Sequence, residues 1–571
     1  MTRRFLILLF VLTAFAPRCF SQNISNDDRL REIIKQDGQV EVTIPYTDKR
    51  TIDLLTRNVS ILSVKDKIIH ISLSPLTAEW FINQKYVYLI SEKRESKGVI
   101  TAADLNQAME WDTYPTYSQY DSIMQSFATL YPALCRLDTI GTSVNGKLVL
   151  ALKISDNVSI DKDKPEVFYS STMHGDETGG FILMMRLADY LLKNYNVNSR
   201  VKNLVDNLEI WINPLANPDG TYRTGNTMSS PTRYNANGED LNRNFPDPVT
   251  PNTVKQKETI DMMKFLRKHR FVISANFHAG SEVVNYPWDR FDLNKWNIMY
   301  HADDSWFNSI SRAYADTVHV YSGPAYMNQL DNGVSRGALW YIIFGSRQDF
   351  ITWELQGREV TIELDDQHIT PAAQLSLLWQ NNWRSLLGYI ENALYGIHGV
   401  VLNANTSAPV PAKVFITGHE LDNSSVYSDT LTVSFVRLLA PGSWNLTFTA
   451  KGYRDTTISN IFVLSGQKTD LRVNMLPVAI KTDTTIHLAL VLYPNPASSE
   501  LKAMLPDLII GPVNIRIYNM SGMLLSDINT VSEKGIPLLI DIRRLPSGVY
   551  SVVFTNKLTG VSNRGRFVVI N

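Results

Sequence analysis

The sequence predicts an α/β protein, with a small α+β region before the α/β part and all-β modules after it. From about Trp111 to Tyr395, strand-like apolar runs alternate with stretches of helical periodicity, which is typical of an α/β domain. After Tyr395 the apolar runs are short and turn signals separate them, which indicates β structure. The chain has 571 residues, 44% of them hydrophobic, so it is long enough for several packed domains.

Residues 1–21 have the composition of a secretory signal peptide. Arg3 and Arg4 precede an apolar run from Phe5 to Ala16 that is too short to span a bilayer comfortably. We expect cleavage after Ser21, which leaves a mature chain without a transmembrane helix. The alternative is that the run remains as an uncleaved anchor.

Residues 22–108 form the predicted α+β region. Three runs within it, residues 39–45, 59–64 and 68–73, have the composition or alternation of strands. The region contains no group of residues that suggests catalysis. We therefore interpret it as either a pro-segment or an accessory domain.

The α/β region covers residues 109–395, and its polar candidates fall mostly at strand ends or in the loops that follow them. Sheets of this class place their ligand crevice at the carboxyl ends of the strands, so we expect a site there. The predicted strands are residues 148–154, 166–171, 208–213, 272–277 and 360–364, and the predicted helices are residues 120–131 and 181–192.

Two all-β modules complete the predicted chain. Residues 396–477 contain short strands separated by turns, as in a small β-sandwich. Residues 478–489 are rich in Thr and Asp and indicate a linker. Residues 490–571 contain further β-type runs and form the last module.

Charge and cysteine content narrow the function classes. The chain has 55 Lys and Arg residues and 56 Asp and Glu residues, and this balance does not favour binding to nucleic acid or to an anionic membrane surface. After loss of the signal peptide, Cys135 is the only cysteine, so the mature chain has no intrachain disulfide. We expect Cys135 to be a buried structural residue near the end of a helix.

The most informative motif is His174-Gly-Asp-Glu177, which follows an apolar strand-like run. His278 ends another run of this kind. Two histidines and one glutamate around an open fourth position are the usual protein ligands of a hydrolytic zinc site. A single His-x-x-Glu motif arises easily by chance, so the interpretation depends on the groups that accompany it.

The other groups that hydrolysis of a peptide requires are also present. Glu363, at the end of a buried strand, is the candidate general base and later general acid. Arg233 is the candidate donor to the developing oxyanion, and Asn242 with Arg243 could bind a carboxylate. Tyr341 could close over the substrate and donate a hydrogen bond. The alternatives are a strand-end carboxylate, a polar capping loop and a packed strand aromatic.

Taken together, these motifs resemble the zinc metallocarboxypeptidases of the funnelin type, and within them the regulatory E/N/M/D branch. The resemblance implies an α/β/α globule with a mixed sheet, one zinc ion per catalytic domain and action on the C-termini of peptides or proteins. It implies zinc ligation by His174, Glu177 and His278, and the same roles as above for the other residues. The motifs that carry it are residues 174–177, 240–247, 277–281, 285–289, 340–341, 348–349 and 361–364.

The branch also implies a pocket for a terminal Lys or Arg side chain. Asp289 matches its acidic residue and Gln348 matches the glutamine near its base. Two departures stand out, because Ala279 occurs where the branch usually has glycine and Arg347 occurs beside Gln348. A cation near the pocket mouth would repel a basic side chain, so we expect Arg347 to weaken this preference.

The β modules have resemblances of their own. Residues 396–477 resemble the transthyretin-like domain of the same branch, which implies folding support or partner contact. Residues 490–571 resemble the C-terminal sorting domain of type IX secretion cargo, which implies contact with outer-membrane secretion machinery and a secreted or cell-surface location. A generic adhesion module is the alternative for this last segment.

Two further functions remain open at this point. The zinc site could serve an amidohydrolase that acts on cell-wall peptide or on an N-acyl amino acid. The chain could also be a surface binding protein that has lost turnover.

Overall fold

The computed structural model of the chain describes residues 25–91, 99–160, 162–247, 254–292, 297–428, 434–478 and 489–570. The predicted signal peptide, residues 1–21, and most of the predicted linker, residues 478–489, lie outside the described residues. The chain divides into two compact units, one that runs to Pro477 and one that begins at Val478.

The first described region is a small four-stranded sheet with helices, which confirms its α+β character. Helix α1 begins after Ser25, whose side chain accepts a hydrogen bond from the backbone N–H of Asp28, and it ends at Gly38 with a left-handed φ of 78°. The strand order is β2-β3-β1-β4. The elements are α1 Asn26–Asp37, β1 Val40–Pro45, α2 Lys49–Thr56, β2 Ser60–Lys65, β3 Ile68–Leu73, α3 Ala78–Asn83 and β4 Leu89–Ile90.

The central region contains the helices and strands of the α/β part. Its elements are α4 Leu105–Ala108, α5 Tyr117–Leu130, β5 Cys135–Thr142, β6 Leu148–Ile154, β7 Glu166–Ser171, α6 Gly179–Asn194, α7 Ser199–Asn207, β8 Glu209–Asn213, α8 Pro218–Thr221, a 3-10 turn Leu241–Arg243, α9 Lys257–Lys268, β9 Phe271–His278, β10 Ser281–Tyr286, β11 Phe291–Asp292, β12 Asn297–Ile298, α10 Asp304–Ser322, α11 Gln329–Asn332, β13 Val334–Arg336, α12 Gly337–Trp340, α13 Arg347–Glu354, β14 Glu359–Asp365, α14 Ala372–Glu391 and a 3-10 turn Asn392–Leu394.

An eight-stranded mixed sheet organises this region, in the order β13-β10-β14-β9-β7-β8-β6-β5. Strands β7, β8, β9 and β14 form parallel pairs, whereas β5–β6, β6–β8 and β10–β14 are antiparallel. Side chains alternate across the sheet, so Val167 and Tyr169 lie in one core and Phe168 lies in the core on the other face. Helices cover both faces, which confirms the predicted α/β/α globule with a mixed sheet.

The prediction for Cys135 was wrong in its secondary structure. This residue is the first of β5 and pairs with Ile154, although it is buried as expected. Helix α5 ends at Leu130 because Pro132 follows and disfavours helical continuation at the preceding residue. Burial raises the pKa of the Cys135 thiol to about 12, so it does not act as a nucleophile.

Two facing sheets follow in the same unit, with strand orders β18-β15-β21 and β17-β16-β19-β20. Val401, Val414 and Phe448 are among the buried residues between them. The result is the small all-β sandwich that the turn spacing predicts. Its strands are β15 Gly396–Asn403, β16 Lys413–Phe415, β17 Val426–Tyr427, β18 Ser434–Arg437, β19 Gly442–Thr449, β20 Thr456–Val463 and β21 Lys468–Met475.

A buried charge cluster joins this sandwich to the α/β region. The Asp303 carboxylate accepts hydrogen bonds from Arg437 of the sandwich at 2.5 Å, from Arg358 at 2.7 Å and from His419 at 2.8 Å. Burial by itself would raise the pKa of Asp303, but Arg437 and Arg358 outweigh it and hold that pKa well below its usual value. The two regions therefore share an ionised, fully buried contact.

The second unit is also all-β, with sheets in the orders β22-β23-β26 and β25-β24-β27-β28. Ile515, Val552 and Phe567 are part of its core. Among the described residues of the whole chain, none of the helices has the length and apolar character needed to cross a membrane. The strands are β22 Val491–Tyr493, β23 Glu500–Met504, β24 Gly511–Asn519, β25 Leu524–Ser532, β26 Leu538–Asp541, β27 Gly548–Asn556 and β28 Ser562–Val569, with a 3-10 turn Asp507–Ile509.

Candidate active site

The candidate ligands lie at the carboxyl ends of neighbouring parallel strands. His174 and Glu177 are in the turn that follows β7, and His278 is the last residue of β9. Glu363 of β14 is directly opposite His278 in the strand register. Because β7, β9 and β14 are adjacent in the sheet, these side chains meet at one edge.

His174, Glu177 and His278 form a compact buried group whose ligand atoms lie within 4.8 Å of one another. Their contacts are His174 Nδ1 to Glu177 Oε1 at 2.7 Å, His278 Nδ1 to Glu177 Oε2 at 2.7 Å and His174 Nδ1 to His278 Nδ1 at 3.0 Å. Two ring nitrogens and a carboxylate that converge in this way are a donor set that zinc accepts. The residues present therefore fit a zinc ion.

For two of the three candidate ligands the protonation state suits metal binding. Burial would lower the pKa of the third, His174, but Glu177 and Asp240 outweigh it and raise that pKa above its usual value. Burial lowers the pKa of His278 to about 4, so its ring is neutral near pH 7. Burial would raise the pKa of Glu177, but His174 and His278 outweigh it and hold that pKa well below its usual value. Metal ligands must be neutral imidazoles and ionised carboxylates, and these two residues meet that requirement.

Asp240 supports this group, and the sequence analysis did not single it out. Its Oδ1 contacts His174 Nε2 at 3.0 Å and its Oδ2 accepts a hydrogen bond from Arg233 Nε at 2.9 Å. A carboxylate on the far ring nitrogen orients a histidine toward its metal. The signal available in the sequence was the position of Asp240 in the same polar loop as Asn242 and Arg243.

Arg233 is held beside the candidate ligands. Its Nη1 donates to Glu177 Oε1 at 3.2 Å, and its backbone carbonyl accepts from the N–H of Gly175 at 3.2 Å. Gly175 is necessary here because an added Cβ would lie 2.4 Å from the backbone carbon of Gly220. Because Gly175 has no Cβ, the turn that carries His174 can approach α8 closely.

Glu363 lies beside the group and does not belong to it. It is 8% exposed, and among the described residues its Oε2 has no hydrogen-bond partner. Burial, followed by the negative charge of Glu177, raises the pKa of Glu363 well above its usual value. A buried carboxyl with a free oxygen next to a candidate metal site can accept and release a proton.

Asn242, Arg243 and Tyr341 line the same cavity, which has a volume of about 230 Å³. Asn242 is oriented by its Oδ1, which accepts a hydrogen bond from the backbone N–H of Arg347 at 3.0 Å. Tyr341 follows the short helix α12 and lies in no strand, and burial raises the pKa of its phenol. Tyr341 is therefore not the packed strand aromatic that the sequence analysis left open as an alternative.

Asp289 lines one side of the cavity, and Gln348 lies behind it. Asp289 Oδ1 accepts hydrogen bonds from Gln348 Nε2 at 3.1 Å and from Asn285 Nδ2 at 3.2 Å. Burial raises the pKa of Asp289 to about 6. The structure thus brings all the predicted site residues to one cavity except Gln348, which contacts it through Asp289.

The expectation that Arg347 lies at the pocket mouth was wrong. Arg347 is fully buried, and its Nε pairs with Glu359 Oε1 at 2.9 Å. Its guanidinium also lies over the ring of Phe168, at 5.4 Å from the ring centre, and it does not line the cavity. A buried arginine needs an ion-pair partner, and Glu359, the first residue of β14, provides one outside the cavity. The other departure, Ala279, still donates its backbone N–H to Glu177 Oε2 at 3.2 Å.

The N-terminal region covers the cavity, which the sequence analysis did not foresee in detail. Leu62, Ser63, Lys65 and His70 line it together with the candidate site residues. Ser60 Oγ also donates to Asp240 at 2.6 Å. Strands β2 and β3 of this region therefore form one wall of the cavity.

Two family models match the chain. The zinc carboxypeptidase model matches residues 120–385, and the model of the secretion system C-terminal sorting domain matches residues 491–569. Both resemblances drawn from the motifs are thereby confirmed. The second match indicates type IX export, to the cell surface or out of the cell.

Individual proteins are similar to the chain over its central part. Human carboxypeptidase D is 33% identical over 379 residues, which cover 64% of this chain and 27% of that protein. The chain thus spans about a quarter of the carboxypeptidase D relatives it matches. Mouse carboxypeptidase M is 32% identical over 343 residues, which cover 58% of this chain and 77% of that protein.

Among solved structures, carboxypeptidase A from Helicoverpa armigera is 16% identical, with a TM-score of 0.47, and the match covers 62% of this chain and 97% of that one.

The sequence identity with carboxypeptidase M extends over more than two thirds of that relative. From the sequence matches, the chain belongs to the zinc carboxypeptidase family.

Proposed function

We propose that the chain is a secreted zinc metallocarboxypeptidase that removes single residues from peptide C-termini, with a preference for Lys and Arg. One observation carries the proposal. The ligand group His174, Glu177 and His278 lines a single cavity of about 230 Å³. The same cavity is lined by Glu363 with its free Oε2, by the pair Asn242 and Arg243, here called the carboxylate clamp, and by the acidic side chain of Asp289. That volume suits one amino-acid residue at the end of a peptide.

The three ligands would hold one zinc ion per catalytic domain. When bound, zinc lowers the pKa of a water molecule and polarises the carbonyl of the bond to be cleaved. Glu363 would accept the proton of the attacking water at Oε2 and pass it to the nitrogen of the leaving residue. Arg233, whose Nη1 is already 3.2 Å from Glu177, would donate to the carbonyl oxygen as its negative charge grows.

Two features favour a free C-terminus with a basic side chain. Arg243 and Asn242 can hold the terminal carboxylate with charge-assisted and amide hydrogen bonds. Asp289 can pair with a Lys or Arg head group in the same cavity. Because Arg347 is paired with Glu359 outside the cavity, it does not oppose a cationic side chain.

We further propose that residues 22–108 are an inhibitory pro-segment and not merely an accessory domain. Arg243 Nη2 donates to the backbone carbonyl of Ile61 at 3.3 Å, and this carbonyl competes with a substrate carboxylate for the same guanidinium. Tyr341 also packs against the core of the N-terminal region. A peptide could reach the clamp only after this region moved.

The proposal includes the order of segments along the chain. We assign residues 1–21 to the signal peptide, 109–395 to the catalytic domain, 396–477 to a transthyretin-like sandwich, 478–489 to a linker and 490–571 to the sorting domain. Peptide C-termini and the outer-membrane secretion machinery are the proposed partners. The sandwich supports the catalytic domain through the Asp303 cluster.

The test is release of the last residue from peptides that differ only at that position. We expect release of Lys and Arg, loss of release with a chelator and recovery with zinc. Release of other single residues would refute the preference, and hydrolysis only of N-acyl amino acids or cell-wall peptide would favour the amidohydrolase alternative. Stoichiometric zinc without hydrolysis by the chain freed of its N-terminal region would favour a binding protein.

A further inference from the structure

We propose that Gln39 of the N-terminal region is a positioning residue for the metal site, and that this region strengthens zinc binding while it blocks the cavity. The inference rests on the ligand set proposed above. It concerns a side chain outside the matched family model, which begins at residue 120. Gln39 touches none of the three ligands and acts through Asp176 and Arg233.

The amide of Gln39 connects two turns that are distant in sequence. Its Nε2 donates to Asp176 Oδ2 at 2.9 Å. Its Oε1 accepts from the backbone N–H of Arg233 at 2.8 Å and from Thr232 Oγ1 at 3.0 Å. Both ends of one amide are therefore used, one for each turn.

The first of these turns carries two of the ligands. Asp176 lies between His174 and Glu177 in the chain and is 5% exposed. Among the described residues, Gln39 is the only hydrogen-bond donor to its carboxylate, since Oδ1 has no partner. Loss of the amide would leave a buried carboxylate without a donor beside Glu177, and the turn would have to shift to reach water.

The second turn places Arg233. The N–H of this residue is held by Gln39 and its carbonyl is held by Gly175, so its peptide groups are fixed on both sides. The Arg233 guanidinium in turn contacts Glu177 at 3.2 Å and Asp240 at 2.9 Å. A change at Gln39 would reach Glu177 by this route as well.

Gln39 itself is rigidly placed. It lies between Gly38, which ends α1 with a φ of 78°, and Val40, which begins β1 and pairs with Leu73. The carbonyl of Gln36 accepts a hydrogen bond from Arg223 Nη2 at 2.9 Å, which anchors the end of α1 to the catalytic domain. A side chain on such a support can define the distance between the two turns.

The experiment measures zinc affinity of the full mature chain by competition with a chromophoric chelator, without any activity assay. Outer partners of metal ligands typically change affinity by about 10–100-fold, and for the indirect contact of Gln39→Ala we expect a rise in Kd of about tenfold. Gln36→Ala is the matched control, because Gln36 is an exposed residue of the preceding helix α1, and its hydrogen bond to Arg223 uses its backbone carbonyl and not its side chain. Its Kd should equal that of the wild type.

A double-mutant cycle with Asp176→Asn separates the contact from a general loss of structure. Asparagine carries no charge, so in that background Gln39→Ala should raise Kd by less than about threefold. Thermal unfolding must show all variants folded. A folded Gln39→Ala chain with wild-type Kd, or additive effects in the cycle, would refute the positioning role of Gln39 without affecting the proposed metal site. Failure of the wild type to bind zinc would instead refute the proposed metal site.

Discussion

The backbone carbonyl of Ile61 accepts a hydrogen bond from Arg243 Nη2 at 3.3 Å, so a strand of the N-terminal region occupies the group proposed to bind the substrate carboxylate. Ser60, the preceding residue, donates to Asp240 at 2.6 Å, and Asp240 contacts His174. The same strand thus contacts both the proposed clamp and the support of a proposed metal ligand. Inhibition and support of the site would be connected through neighbouring residues.

Cleavage within the N-terminal region, after the last strand of its four-stranded sheet, should activate the chain. A specific protease site introduced within residues 92–98 would allow this comparison on one purified protein. A tethered segment has a high effective concentration, so its release should raise hydrolysis of a Lys-terminated peptide on the order of tenfold or more. The same site placed within residues 479–488, in the predicted linker, is the control and should change nothing. Equal activity before and after cleavage at residues 92–98 would contradict inhibition.

Glu363→Gln should abolish turnover while zinc binding persists. The amide has nearly the same shape but cannot take a proton from water, and loss of a general base typically lowers kcat by about 10²–10⁴-fold. Zinc content by elemental analysis should remain equal to the wild type, because Glu363 is not among the candidate ligands. Retention of wild-type kcat would remove Glu363 from the proposed mechanism.

Asp289→Asn should reduce the preference for basic termini. A hydrogen bond to a charged group contributes about 1.5–3 kcal/mol, which corresponds to roughly a 10- to 100-fold fall in kcat/KM for a Lys-terminated peptide. The matched measurement on a Leu-terminated peptide should change little with the same variant. An equal loss on both peptides would mean that Asp289 supports the cavity without selecting the side chain.

Asp303→Asn should destabilise the larger unit strongly. Removal of this carboxylate takes from the buried Arg358 its ion-pair partner and leaves Arg437 paired with Glu420, and breaking such a buried pair typically costs about 3–5 kcal/mol. Asp331→Asn is the control, since Asp331 pairs with Arg312 at the surface with its side chain 83% exposed. Its effect on the free energy of unfolding in urea should stay below about 1 kcal/mol. Equal effects of the two variants would contradict the role of the cluster.

His301 should make the larger unit less stable in acid. Burial, followed by the charge of Arg358, lowers the pKa of His301 well below 6.5, so the unfolded chain binds a proton there that the folded chain does not. The contribution of the neutral His301 to the free energy of unfolding is complete above pH 6.5. It is lost as the pH falls toward the pKa of His301 in the folded chain. The free energy of unfolding should therefore decline by up to about 1.4 kcal/mol per pH unit from this group.

His301→Asn tests that slope. His301 Nδ1 accepts the backbone N–H of Asp303 at 2.9 Å, and the asparagine Oδ1 can replace this acceptor without titrating. The difference between the unfolding free energies at pH 6.5 and pH 5 should be smaller in the variant. An unchanged slope would show that other groups cause the acid sensitivity.

Much of the fold was predictable from local pattern. Five strands of the eight-stranded sheet, β6, β7, β8, β9 and β14, are apolar runs of ordinary length, whereas β5, β10 and β13 lack such a run and were not predicted. The turns beyond Tyr395 mark short strands clearly. Cys135 was assigned incorrectly because a short apolar stretch can be helix or strand, and the effect of Pro132 on the preceding helix was not weighed. Asp240 was overlooked because its importance comes from His174, which is far away in the chain.

The sequence by itself determined which chemical groups this chain carries, because ligand types, their short spacing and strand periodicity are local properties. Only the tertiary structure decided which partners those groups meet. It directs Arg347 away from the cavity toward Glu359, places Ile61 against Arg243 and extends Gln39 between two turns of another region. The physical reason is that a buried charge or amide takes its partner from packing between elements distant in sequence, and no local pattern encodes that choice.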